Sequence, residues 1–160
     1  MTTEIKRLDE QLRRTLEGEA WHGPSVLEAL DGVSAAQAAA HPIAGGHSIW
    51  ELVLHIRSDY DLVLRRMEGN TGRLSAFEDW PDCPAITEEN WRRALEDLKV
   101  SNQKLRQAVR NFPEERLDDL LVLEVPYTAY TQFIGVTQHN LYHAGQITLL
   151  KRLLTSATPK

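Results

Sequence analysis

The chain has 160 residues, 42% of them hydrophobic, enough for a single domain over residues 1–160 built on one continuous core. Its net charge of −5 comes from 23 acidic and 18 basic residues; the basic ones form no stripe, which points away from a nucleic-acid partner. One cysteine excludes an intrachain disulfide, and no stretch reaches the roughly 18 apolar residues that span a bilayer. Residues 1–12 lack a signal-type apolar segment, so the expectation is a cytoplasmic protein that engages no membrane.

The periodicity predicts four main helices. Ile5, Leu8, Leu12 and Leu16 recur every three or four residues and predict the first helix over residues 3–17, which Gly18 ends. A short helical piece over 25–30 follows. Ser34 and Gln37 have the spacing of a capping box for an Ala-rich turn that Pro42 closes. Ser48 and Glu51 repeat that box at the start of the second main helix, whose apolar face runs Ile49, Leu52, Val53, Ile56, Tyr60, Val63 and Met67; residues 69–72 close it. After a connection rich in Pro and aromatic residues over 73–84, Thr87 is placed as the N-cap of the third main helix, with Trp91, Leu95, Leu98, Leu105 and Val109 on its apolar face; Pro113 stops it.

Residues 120–125 have a strand-like composition but no obvious partner, and an extended crossover fits them equally. The last main helix is predicted over 130–154 from Val136, His139, His143, Ile147, Leu150 and Leu154. Gly145 inside it costs about 1 kcal/mol relative to alanine, which a closely approaching neighbour helix would offset. Four amphipathic helices bury their stripes most simply as an all-α four-helix bundle, here with long crossover connections.

His139 and His143, four residues apart, project from one face of the last helix and fall on its core-facing stripe. His55 lies beside the stripe of the second main helix. If the two helices are neighbours, three neutral imidazoles converge, a donor set suited to Zn²⁺ or Ni²⁺ with a position left open. The competing reading is three semi-buried histidines hydrogen-bonded to ordinary neighbours.

Two segments then carry a resemblance. His139-Asn140-Leu141-Tyr142-His143-Ala144-Gly145-Gln146-Ile147 resembles the C-terminal helix motif of DinB-like proteins, a superfamily that includes YfiT-like metal-dependent hydrolases and thiol-dependent transferases. Gly45-Gly46-His47-Ser48-Ile49-Trp50-Glu51-Leu52-Val53-Leu54-His55-Ile56 resembles its second-helix motif, in the right order. The resemblance implies a four-helix bundle whose metal ligands map to His55, His139 and His143. It also admits a homodimer, for which the sequence identifies no interface.

Other candidates have structural readings. His47 precedes the Ser48 cap and is expected at the helix entrance; His22 and His41, beside Gly23 and Pro42, are expected on the surface. Glu51 is read as a capping residue before a general base. Asp59, one turn after His55, either orients a ligand or faces solvent. Gln146 either packs at a helix interface or contacts metal-held water or substrate. Trp21, Trp50 and Trp91 are expected in the core or a pocket wall, and Cys83 has no nearby cation to lower its thiol pKa.

Three functions follow from an open three-histidine site acting on a small-molecule substrate. The first is a hydrolase using metal-activated water. The second is a metal-dependent S-transferase whose substrate is a low-molecular-weight thiol. A mycothiol-dependent isomerase is disfavoured within that class, because that branch typically carries an additional C-terminal domain for which the chain has no room. The third is a non-catalytic metal-binding or stress-response protein.

Overall fold

The computed structural model describes residues 3–70 and 72–156, and every regular element among them is helical. In chain order these are α1 (Glu4–Leu16), α2 (Val26–Leu30), α3 (Ala35–Ala39), α4 (Ile49–Met67), α5 (Ala76–Asp79), α6 (Glu88–Arg110), a 3-10 turn (Glu114–Arg116) and α7 (Ala129–Ser156). Side-chain caps mark the starts of the first three long helices. The Thr3 hydroxyl accepts from the Lys6 amide, and Thr87 accepts from Asn90. At α4, Ser48 and Glu51 form both halves of a capping box, satisfying backbone donors that the first helical turn leaves unpaired. The Ser34–Gln37 box forms as well. Gly69, at φ +84°, takes the left-handed turn that ends α4, and the Asn70 amide returns to the Arg65 carbonyl. Thr71, in the same closing stretch, lies outside the described residues.

The long helices form the expected four-helix bundle. α4 packs against α6 and α7, and α1 packs against the same two, so α1 and α4 face each other across the bundle. Of the consecutive long helices, α4 and α6 are lateral neighbours, whereas α1 and α4, and α6 and α7, are not, so the connections after α1 and after α6 cross the bundle. The four stripes meet in one core that includes Leu8, Leu12, Trp50, Ile56, Trp91, Leu98, Phe133 and Ile147. Buried Asn140 donates to the Thr15 hydroxyl of α1 at 3.0 Å, fixing the rotation of α7 while His139 and His143 turn towards α4. Among the described residues no helix is long and apolar enough to cross a membrane.

Three expectations change. Residues 120–125 form neither a strand nor a straight crossover: they fold back so that Leu120 bridges Thr128, while Val122 and Val125 are buried and Leu123 is 87% exposed. Among the described residues the apolar run meets no strand edge beyond that single bridge. Trp50 and Trp91 are core residues, whereas Trp21 is almost fully exposed in the loop after α1. Gly145 is not approached by a neighbouring helix; a methyl group built on it meets no other atom within 4 Å.

Candidate metal centre

His55 comes from the middle of α4, and His139 and His143 come from successive turns of α7, so the α4–α7 contact brings the three together. Each can contribute one donor atom, the three donors lying within 4.8 Å of one another. His139 Nε2 lies 3.0 Å from His55 Nε2 and 2.9 Å from His143 Nε2. The carboxylate of Asp59, one turn beyond His55, places Oδ2 2.9 Å from the same nitrogen.

The hydrogens on the outer ring nitrogens fix what the inner nitrogens present. His55 Nδ1 donates to the Asp79 backbone carbonyl at 2.9 Å, with the Asp79 carboxylate a further 3.1 Å contact. His143 Nδ1 donates to Gln146 Oε1 at 2.6 Å. A neutral imidazole carries one ring hydrogen, so both rings turn a bare Nε2 lone pair inward. Two lone pairs and a carboxylate oxygen thus converge on His139 Nε2, which can offer at most one hydrogen. His139 Nδ1 is buried without a partner. A cation between the three Nε2 atoms would satisfy the inward lone pairs together. Nitrogens bound at about 2.0–2.1 Å to a tetrahedral ion stand about 3.3 Å apart, so the two pairs that include His139 fit such a group after opening by a few tenths of an ångström, and the His55 and His143 donors lie within 4.8 Å of each other.

The electrostatics favour the same arrangement. Burial, then the neighbouring His139, depress His143 from 6.5 to about 4, keeping its lone pair free at neutral pH. Burial alone would raise the Asp59 carboxyl, but the bond to His139 and the proximity of the three imidazoles outweigh it and hold the group below the usual carboxylate range.

The connection after α4 supplies supports that the sequence did not signal. Asp79 ends α5 and orients His55. Trp80 lies flat between two histidines: the His47 and His55 rings are each within 7° of parallel to it, with centroids 3.5 and 4.0 Å away. Two rings that close can only occupy opposite faces of the indole. His47 is therefore separated from the cluster by Trp80, at the helix entrance as expected.

The remaining candidates resolve by their contacts. Glu51 caps α4 and pairs with exposed His41 at 3.0 Å, and His22 is also exposed. Gln146 neither merely packs nor waits on substrate, since its side chain holds His143. Asp59 is not a solvent-facing charge, nor does it orient a ligand through an outer nitrogen; it faces the inner donors. Burial, followed by Glu51, pushes the Cys83 thiol up to about 11, opposing thiolate formation.

Two clefts reach the cluster. One, of about 370 Å³, is lined by Ile43, Leu52, Trp80, His143, Gln146 and Leu150. The other, of about 290 Å³, has Asp59, Arg66, Thr131, Gln132, Gln138 and His139 in its wall. Each therefore opens beside a different α7 histidine, and the arrangement can admit small molecules from two sides.

Comparison with curated proteins and with solved structures finds no match for the chain. The family profile of the DinB superfamily matches residues 19–147, a span that contains all three histidines, Asp59, Asp79, Trp80 and Gln146. The chain belongs to the DinB superfamily.

Proposed function

We propose that the chain is a metal-dependent hydrolase in which His55, His139 and His143 hold one divalent transition metal, zinc or nickel, and water attacks a small-molecule substrate. The observation that supports this most strongly is the convergence of two inward Nε2 lone pairs and the Asp59 carboxylate on His139 Nε2. When bound, such an ion lowers the pKa of water and polarises a carbonyl oxygen. Asp79 and Gln146 hold the outer hydrogens of His55 and His143, fixing the tautomer and ring orientation that expose Nε2. Asp59 Oδ2 orients the attacking water and receives its proton. Trp80 and Leu52 form an apolar wall that limits water access beside His143.

The experiment is cleavage of a panel of esters and amides by as-purified, chelator-treated and metal-restored protein. Cleavage that is lost with the metal and regained on its return supports hydrolysis. A panel inert under all three conditions contradicts it.

A thiol S-transferase is the second reading, favoured by one specific observation: the two clefts give separate access beside His143 and His139. Two substrates could then meet at the centre. Low-molecular-weight thiols added with an electrophile distinguish the reactions, because metal-dependent conjugate formation without water-dependent cleavage selects transfer.

A further inference from the structure

The cleft beside His139 contains a cation without an acidic partner. Arg66 is half-buried on α4, and it forms no ion pair within 4 Å among the described residues. Its Nη1 donates to Gln132 Oε1 at 3.1 Å. Gln132 is itself held from its amide end, where Nε2 donates to the Tyr127 carbonyl at 3.1 Å. The Arg66 Nε is buried with no hydrogen-bond acceptor, and Nη2 has none among the described residues. Gln132 thus anchors one nitrogen and leaves the Nε–Nη2 edge unmatched. Burial works against the Arg66 cation; Asp59 offsets part of that cost, while Arg73 and Arg65 add to it. A planar carboxylate supplies two acceptors to one edge of a guanidinium, and its charge compensates the cation. Nε is buried in this structure, so binding on that edge requires the side chain to turn into the cleft.

We propose that this cleft binds the carboxylate of a small-molecule substrate on Arg66, beside Gln132 and Thr131, with the reacting end directed towards His139 and Asp59. Only the placement of that reacting end rests on the metal-dependent function proposed above. The substrate class is a small organic acid with a second, cleavable or transferable group. Asp59 and His139 share the cleft wall with Arg66, so one molecule can reach both.

The test is an NMR titration of nitrogen-15-labelled full-length protein with phenylacetate, with its neutral analogue phenylacetamide and with inorganic phosphate. As-purified and chelator-treated samples are compared, and metal content is measured on each. Phenylacetate should shift the amides of residues 131–138 and the Arg66 Nε–H signal with or without metal, and phenylacetamide should not. Arg66→Gln should weaken phenylacetate binding by about tenfold or more, the loss expected for a charge-assisted hydrogen bond. Arg66→Lys, which keeps the charge without the planar fork, should fall between the two. If Arg66→Gln loses its dispersed spectrum, Arg66→Lys carries the comparison alone. Equal binding of phenylacetamide, preference for phosphate, or unweakened phenylacetate binding in the variants would overturn the inference. So would phenylacetate binding that disappears with the metal and ignores Arg66. Arg66-dependent binding by a protein that takes up neither zinc nor nickel when each is supplied would sustain the carboxylate cleft and overturn the proposed hydrolase. A metal-loaded protein indifferent to phenylacetate would do the opposite.

Discussion

In protein stripped of metal, lowering the pH from about 7 to about 4 charges His143 more readily in the unfolded chain than in the fold. The ordinary histidine value is 6.5, and burial in the α4–α7 interface depresses the folded value to about 4. Above the unfolded value neither state is protonated, and the full stability contributed by the neutral ring is present. As pH falls below it, the unfolded chain takes up a proton that the folded protein refuses. Stability is therefore lost through that window and levels off below the folded value. Across the whole window the loss attributable to this group is about 3 kcal/mol, a substantial part of the 5–15 kcal/mol that holds a typical domain folded (about that range). Urea unfolding at closely spaced pH values, with chelator present, gives the slope. His143→Gln removes the titrating ring, so its stability should fall less steeply over the same interval. Parallel slopes for the two proteins would refute the assignment of this pH dependence to His143.

The supporting residues give separate predictions. Gly145→Ala should stabilise the protein by about 0.5–1 kcal/mol, because the added methyl meets nothing and removes backbone freedom from the unfolded chain; a lowered thermal midpoint would contradict the open surroundings. Gln146→Leu removes the acceptor for His143 Nδ1 and should weaken metal affinity about 10–100-fold, read by competition with a calibrated chelator. Asp59→Asn should leave about one metal ion per chain while cutting metal-dependent cleavage about a hundredfold or more, the scale of general acid–base catalysis. Loss of the metal in that variant would instead make Asp59 a ligand.

Features governed by local chemistry were legible in the sequence. The Ser34–Gln37 and Ser48–Glu51 boxes form because their side chains satisfy backbone donors three residues away, with no help from distant structure. The 139/143 spacing determines a shared helix face, so convergence with His55 needed only the α4–α7 contact. Partners reached through the chain's path were not legible. Asp79 lies 24 residues from His55, on a four-residue helix that no apolar period announced, and it contacts the imidazole through a backbone carbonyl common to every residue type. Trp80 looked like one aromatic residue in a loop until that loop folded over α4. Asp59 was visible as a neighbour of His55, but the helical period does not say which histidine nitrogen its carboxylate meets. Composition misled at residues 120–125, where an apolar run without an adjoining edge turned back, and at Trp21, whose size does not ensure cover in a loop.

Metal stoichiometry tests the central claim most directly. Elemental analysis of purified, metal-loaded wild type should find close to one zinc or nickel ion per chain, and His55→Ala, His139→Ala and His143→Ala should each lose most of it while remaining helical. Unchanged metal content in those three folded variants would contradict a centre built on His55, His139 and His143.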